Sequence, residues 1–246
     1  MVTTLYLIRH GETEGSEKKC YKGSIDVPLS ERGVQQIRDA SAFILDHLKS
    51  SYAACSRSYL RDIHAPDGGK AGSHEEVTVE DLPALSAVYC SSLSRAIRSA
   101  EIVAEPHGRQ PIIIPDLRER SFGVWEGMSF TEIREKYPVE FEAWAENPVS
   151  HSPLDGESTL SVSERVTRAF GEILERHAAK GKSAAPERQS IAIVAHGGVN
   201  RVLLCHIMGV PLENVFRIEQ DHAAVNIIEF WEKYPVVKLV NGGPLG

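Results

Sequence analysis

Cysteine is scarce in this sequence, and its few copies lie far apart. The 246 residues include four cysteines, Cys20, Cys55, Cys90 and Cys205. They form no C-x-x-C pair and no histidine cluster completes a zinc pattern, which excludes the common structural zinc motifs. We expect Cys90 and Cys205, which have apolar neighbours, to fill core volume. A reducing cytoplasm is the simplest compartment for such a chain.

The sequence also lacks an excess of basic charge and any long apolar run. Lys and Arg total 27 against 34 Asp and Glu, which gives a formal net charge of -7. A broad nucleic-acid surface would require the opposite balance, so we expect no nucleic-acid partner. No apolar run approaches the length of a membrane span. The chain starts directly with an apolar strand pattern rather than a signal segment, so we expect no membrane partner and a cytoplasmic location.

The remaining composition is ordinary for one globular domain spanning residues 1–246. Hydrophobic residues make up 42% and charged residues 25% of the chain, which is enough to bury a full core. From about 50 to 84 the apolar periodicity fails and Ser, Gly and Asp accumulate, which predicts a polar insertion. We expect the segment 121–153 to act as a cap.

Short apolar runs alternate with helical patterns along the chain. The runs typical of buried strands are 5–8, 85–90, 112–114, 191–195 and 225–230, with 236–240 a possible partner of the last. Apolar residues recur at helical spacing between them. Strands that alternate with helices predict a three-layer α/β/α domain with a mainly parallel central sheet.

Polar residues follow three of the predicted strands at the point where each strand ends. Arg9 and His10 follow the first strand, a Ser-Ser-x-x-Arg pattern that ends at Arg95 follows the second, and His196 follows a later one. The carboxyl ends of parallel strands meet at one sheet edge, where α/β folds bind ligands. Guanidinium groups grip phosphoryl oxygens, and the helix N-terminus at Gly197 offers backbone N–H groups to the same anion. The combination indicates a phosphate site.

Each of these residues alone also has a structural explanation. His10 and His196 are flanked by apolar residues, as core histidines with a satisfied hydrogen bond are. Arg95 alone is most simply a charge on a helix surface. Their joint occurrence at three strand ends favours the phosphate site over three unrelated structural roles.

Four motifs carry a resemblance to a known family. The segments LIRHGET, SSLSRA, LRERSFGVWEG and AHGG occur in this order. Together they resemble the histidine phosphatase superfamily, the phosphoglycerate-mutase-like enzymes, from Leu5 to about Phe230 and without the insertion. The resemblance implies a phosphoglycerate-mutase-like fold and an enzyme that needs neither a metal nor another cofactor.

The resemblance also implies a role for each matching residue. His10 would be the nucleophile that forms a phosphohistidine, and Glu119 would protonate the leaving oxygen and later activate water. Arg9, Arg95 and His196 would hold the phosphoryl oxygens, with His196 part of the catalytic set. Physical chemistry is consistent with this division, because a histidine nucleophile splits hydrolysis into two easier steps. One carboxyl group can then serve first as the acid and later as the base.

The sequence departs from the family just after the first motif. The common pattern there is Trp-Asn, whereas this chain has Gly15 and Ser16. Ser16 is a shorter and weaker donor to phosphate than asparagine, and Lys22 on the same loop restores positive charge. We include Ser16 and Lys22 among the candidate phosphate-binding residues.

Two further segments indicate a branch within the family. The run from Tyr21 to Ser30 and the segment FGVWEG resemble α-ribazole-5'-phosphate phosphatases and broad-specificity phosphatases. We therefore expect a phosphomonoesterase that acts on a small phosphate ester, best α-ribazole 5'-phosphate, and a homodimer is possible. The alternatives are mutase-type phosphotransfer, a sugar-phosphate phosphatase, and a binding module that keeps the pocket without turnover.

Overall fold

The computed structural model describes residues 2–18, 20–53, 83–177, 188–231 and 234–243 of the chain. Most of the predicted polar insertion, including Cys55, lies outside the described residues. The helix that precedes the insertion extends through Ala53, a little beyond the predicted boundary near residue 50.

A six-stranded sheet forms the centre of the described part of the chain. Its strands are β1 (Val2–Arg9), β2 (Ala87–Cys90), β3 (Pro111–Ile113), β4 (Arg188–Ala195), β5 (Val225–Trp231) and β6 (Tyr234–Gly242). Their spatial order is β3-β2-β4-β1-β5-β6. The first four are mutually parallel, whereas β5 is antiparallel to β1 and β6 is antiparallel to β5. The prediction of a mainly parallel sheet is confirmed, and the expected partner of β5 is β6.

Six α-helices accompany the sheet in the described part of the chain, and two of their ends illustrate capping by the sequence. The helices are α1 (Glu31–Ala53), α2 (Ser94–Ala104), α3 (Phe130–Lys136), α4 (Pro138–Glu146), α5 (Thr159–His177) and α6 (Gly197–Met208). Ser30 Oγ accepts a hydrogen bond from the Gly33 amide at 3.0 Å and so caps α1. Gly209, with φ 66°, adopts the left-handed conformation that ends α6.

The core consists of two apolar clusters, one on each face of the sheet. On one face, Leu5 and Leu7 pack with apolar residues of α5 and α6. On the other face, Tyr6 and Ile8 pack with apolar residues of α1 and α2. Because side chains alternate along a strand, β1 contributes to both clusters. The result is the three-layer α/β/α arrangement that the sequence predicts.

The strand order brings the polar strand ends together. Parallel β2, β4 and β1 are neighbours, with Cys90 opposite Val194 and Arg9 opposite Ala195. The residues that follow these three strands therefore meet at one edge. Antiparallel β5 begins beside Ile8, which adds the turn 220–224 to the same edge. Among the described helices, none has the length and apolar character that crossing a membrane requires.

Candidate active site

His10 lies at the centre of this edge in a form suited to nucleophilic attack. Only 6% of the residue is exposed. Its Nδ1 lies 2.7 Å from the carbonyl oxygen of Gly11, which can only accept, so Nδ1 carries the proton. The other ring nitrogen, Nε2, is then unprotonated in the neutral ring. Burial, with the charges of His196, Arg9 and Arg95 as lesser causes, holds the pKa of His10 well below its ordinary value.

His196 is a second, fully buried imidazole beside the first. The His10 and His196 rings meet edge to face with centroids 5.1 Å apart. Nε2 of His196 lies 2.7 Å from Ser91 Oγ, whereas its Nδ1 is buried without a hydrogen-bond partner in the described part of the chain. Burial and then the charges of Arg95 and Arg9 hold the pKa of His196 well below its ordinary value. Ser91 therefore orients a ring whose other nitrogen remains available.

Arg95 is a buried part of the site and not a surface charge. Although it lies in the first turn of α2, only 2% of the residue is exposed. Its Nη1 donates to the Ile25 carbonyl and its Nη2 to the Gly23 carbonyl, both at 2.7 Å. These bonds hold the loop after β1 against the site and leave the other guanidinium hydrogens for a ligand.

Arg9 is oriented by the turn that precedes β5. Its Nη1 donates to the Gln220 carbonyl at 2.5 Å, and its Nη2 lies 3.0 Å from His222 Nε2. Its Nε is buried without a partner among the described residues. Burial lowers the pKa of Arg9 from its ordinary value, yet a guanidinium stays charged throughout the physiological range. The site thus holds two fixed cations near two neutral imidazoles.

The structure brings Glu119 to the same cavity as His10 and the two arginines. Its Oε2 accepts a hydrogen bond from the Gly198 amide at 3.1 Å, at the start of α6, and its Oε1 accepts one from the Arg120 amide at 2.9 Å. The neighbouring charges have other partners, since Arg118 pairs with Glu157 and Glu126 accepts hydrogen bonds from Ser24.

A partly buried ion pair supports the loop that carries Glu119. Arg165 Nε donates to Glu157 Oε1 at 2.8 Å. The same guanidinium donates to the backbone carbonyls of Asp116, Arg118 and Glu119. Because one rigid guanidinium group binds three carbonyls of the loop, the ion pair fixes the path of the loop and thereby the position of Glu119.

Ser16 and Lys22 both line the site, but their hydrogens have partners within the loop. Ser16 Oγ donates to the Thr13 carbonyl at 2.7 Å. Lys22 Nζ donates to Thr13 Oγ1 and to the Glu14 carbonyl, each at 2.5 Å, and to Ser16 Oγ at 3.3 Å. Lys22 therefore supplies charge near the site while it joins the two sides of the loop.

The site opens into a cavity of about 530 Å³. Its polar lining includes Arg9, His10, Arg95, Glu119, Gly197 and His222. Its apolar wall includes Tyr21, Phe122, Trp144, Val202, Val215 and Phe216. Phe122 and Trp144 come from the predicted cap segment, 121–153. A phosphoryl group occupies only a small part of this volume, so the remainder accommodates a larger leaving group.

Sequence reasoning missed His222, Ser91 as a partner of His196, and the close approach of Gly198 to Glu119. The antiparallel course of β5, which places His222 here, leaves no local sequence signal. Ser91 and His196 follow two neighbouring strands, so the pattern of polar residues at strand ends was sufficient to predict their contact. Within the described ranges, no three His, Cys, Asp or Glu side chains are grouped so as to hold a metal ion.

Comparisons with known proteins show the family and the fold of this chain. A family model, "Histidine phosphatase superfamily (branch 1)", matches residues 5–58 and 78–242. Phosphoserine phosphatase 1 of Hydrogenobacter thermophilus is 27% identical over 237 residues, which cover 96% of this chain and 91% of the relative. The adenosylcobalamin/alpha-ribazole phosphatase of Escherichia coli is 24% identical over 242 residues, which cover 98% and 97%. The crystal structure of the alpha-ribazole phosphatase from Shigella flexneri superposes with a TM-score of 0.73 at 25% identity, covering 97% and 96%.

The fold and the residues at the sheet edge define the phosphoglycerate-mutase-like class of α/β proteins. Within this class, the chain belongs to the histidine phosphatase superfamily, since the family model covers most of its length. It is accordingly a phosphatase that hydrolyses phosphate esters.

Proposed function

We propose that this phosphatase works through a phosphohistidine on His10 and that its substrate is α-ribazole 5'-phosphate. The observation that carries the first part is the state of His10. Its ring is neutral, its Nδ1 is bonded to the Gly11 carbonyl, and its Nε2 has a free electron pair beside two arginines. A histidine that attacks a phosphoryl group needs this combination of an unprotonated nitrogen and neighbouring cations.

The first half-reaction transfers the phosphoryl group to the enzyme. Arg9 and Arg95 bind the phosphoryl oxygens and spread their charge in the transition state. His10 Nε2 attacks phosphorus, the bond to the ester oxygen breaks, and that oxygen takes a proton from Glu119. The alcohol then leaves through the apolar part of the cavity.

The second half-reaction releases phosphate. Glu119, now a carboxylate, takes a proton from water as the water oxygen attacks phosphorus. The bond between phosphorus and His10 Nε2 breaks, inorganic phosphate leaves, and both side chains return to their starting states. His196 Nδ1, buried and without a partner in the described chain, supports a further contact to the phosphoryl group.

The cavity wall supports a substrate with a flat apolar group. Tyr21 and Phe122 form one aromatic pair with centroids 4.7 Å apart, and Trp144 and Phe216 form another at 6.1 Å. The base of α-ribazole is a flat aromatic ring system that such side chains bind well. Relatives in Escherichia coli and Shigella flexneri carry the name of this activity.

The cations of the wall favour this substrate over phosphoserine or a phosphoglycerate. A carboxylate on the leaving group gains most from a cation whose charge is not already offset by an acidic neighbour. The two arginines that line the cavity beyond the phosphate site both have such neighbours, Arg120 in Glu119 and Glu157, and Arg201 in Glu219. Arg120 donates to the Glu157 carbonyl, Thr159 Oγ1 and the His151 carbonyl. Arg201 donates to the Ile218 carbonyl and pairs with Glu219.

The test is phosphate release by the purified protein from matched esters. The panel is α-ribazole 5'-phosphate, ribose 5-phosphate, phosphoserine and 3-phosphoglycerate, without a bisphosphate primer. Ribose 5-phosphate is the matched control because it lacks only the base. We expect kcat/KM to be at least about tenfold higher for α-ribazole 5'-phosphate, since the base buries apolar area. His10→Ala should release no phosphate from any of them.

Each opposite result has a distinct meaning. A higher kcat/KM for phosphoserine would overturn the substrate and support the activity named for the Hydrogenobacter relative. Turnover that needs a bisphosphate primer would identify mutase-type transfer. Full activity of His10→Ala would refute the phosphohistidine step.

A further inference from the structure

His222 is a third imidazole at the sheet edge, and the reaction as described does not use it. The residue lines the cavity, and its ring centroid lies 5.9 Å from that of His10. It belongs to the turn 220–224 before β5 rather than to a strand end of the parallel sheet.

The contact between His222 and Arg9 fixes the chemical state of His222. A guanidinium has five N–H donors and no acceptor. In the 3.0 Å contact with Arg9 Nη2, His222 Nε2 must therefore accept. The ring can accept at Nε2 only when it is neutral, with its hydrogen on Nδ1.

Two acceptors from one turn determine the plane of the Arg9 guanidinium. Gln220 offers its carbonyl to Nη1, and His222 offers its ring nitrogen to Nη2. The turn is itself bonded to the catalytic segment, because the Arg9 amide donates to the Ala224 carbonyl at 3.0 Å and the Ala223 amide donates to the His10 carbonyl at 3.1 Å. Since two of five N–H groups are used, three remain for a ligand.

We propose that His222 is a positioning residue, which accepts a hydrogen bond from Arg9 and thereby aligns the guanidinium with the phosphoryl group. The inference rests on the phosphate site proposed above and extends it. Without His222, the guanidinium keeps a single anchor at Gln220 and rotates about it. The remaining N–H groups then no longer converge on one oxyanion.

The surroundings keep His222 in the accepting form. Burial and then the charge of Arg9 lower the pKa of His222 to about 4, with Lys22 acting in the same direction and Glu12 and Asp221 opposing it. The ring is therefore neutral above about pH 5, where the contact with Arg9 persists.

The test compares two substitutions that differ in the acceptor. His222→Leu removes the acceptor, whereas His222→Gln keeps an amide oxygen within reach. The matched control is His47→Leu, which removes another half-buried histidine that lies outside the cavity and bonds to Tyr6 Oη at 2.8 Å. The readouts are the inhibition constant of inorganic phosphate, KM and kcat for an aryl phosphate, and Tm with and without phosphate.

We expect His222→Leu to weaken phosphate binding about tenfold and to lower kcat/KM by at least as much, the effect of one lost hydrogen bond to a charged group. His222→Gln should return both values to within about threefold of wild type. His47→Leu should change neither. Because phosphate raises the Tm of a protein that binds it, the shift reports binding even if turnover fails.

Several results would overturn the inference. His222→Leu with wild-type phosphate inhibition would show that Arg9 needs no second anchor. If His222→Gln bound phosphate as weakly as His222→Leu, or if His47→Leu were impaired to the same extent, the effect would be a loss of stability rather than of alignment. Wild-type protein that neither binds nor releases phosphate would overturn the proposed function, and this inference with it. Wild-type binding that survives in His222→Leu overturns this inference alone.

Discussion

A substitution at Gly198 is the most direct way to displace the proposed acid, Glu119, without changing Glu119 itself. A Cβ atom at this position would lie 2.6 Å from Glu119 Oε1, while the Gly198 amide donates to Glu119 Oε2 at 3.1 Å. The obstructing atom is the end of a flexible side chain rather than backbone. In Gly198→Ala, the carboxyl group of Glu119 therefore moves, whereas the backbone keeps its position.

The size of the effect follows from the distance. Carbon and oxygen atoms in contact stay about 3.4 Å apart, so the Glu119 carboxylate must move by roughly 1 Å. A displacement of this size in a catalytic group costs about 10²-fold in rate. The stability of the fold should change by less than about 1 kcal/mol, since alanine is favoured over glycine in a helix.

The assay compares two leaving groups in two variants. We expect Gly198→Ala to lower kcat/KM, which reports phosphoryl transfer to His10, about 10²-fold for an alkyl phosphate ester and much less for p-nitrophenyl phosphate, because nitrophenolate leaves without a proton. Gly171→Ala in α5 is the matched control, since nothing lies within 4 Å of its added Cβ. Equal slowing of both esters, or no slowing of either, would refute the placement of the acid.

Two further expectations concern Glu119 and the buried histidines. Glu119→Gln should lower kcat/KM, which reports phosphoryl transfer to His10, by 10²- to 10⁴-fold for the alkyl ester and far less for the nitrophenyl ester, and an equal decrease for both would mean that Glu119 is not the acid. Because the pKa values of His10 and His196 are lowered in the folded state, the unfolded chain binds more protons below about pH 6.5. The free energy of unfolding, measured in urea, should have its full value above that pH. Below that pH it should fall on acidification, by about 1.4 kcal/mol per pH unit for each histidine. A value that rises from pH 7.5 to pH 5.5 would contradict this linkage.

The strand-end residues are the part of the site that sequence reasoning predicts well. Arg9, His10 and His196 directly follow apolar runs, and the geometry of a parallel sheet then brings them together. Arg95 follows from the same logic, as the second residue of the helix after β2. The pattern does not reveal that Arg95 is buried, because its burial depends on the carbonyls of a distant loop, at Gly23 and Ile25.

Loop residues show the limit of such reasoning. Ser16 and Lys22 have the right chemistry for a phosphate site, and both line the cavity. Whether their hydrogens face a ligand depends on the course of the loop, which directs them to the carbonyls of Thr13 and Glu14. Composition and spacing specify which donors are present but not which acceptors lie nearest to them.

The environment of Arg9 depends on pairing across almost the whole chain. Gln220 and Asn226 are fully buried, and their side-chain amides bond to each other in both directions at 2.9 Å. Asn226 Nδ2 also donates to the Leu7 carbonyl at 2.9 Å, which attaches this amide pair to β1. A buried amide pair is stable only when all its partners are in place. The antiparallel pairing of β5 with β1 therefore supplies the hydrogen-bond partners of these amides and also positions the turn that holds Arg9. No local segment of the sequence can show this pairing.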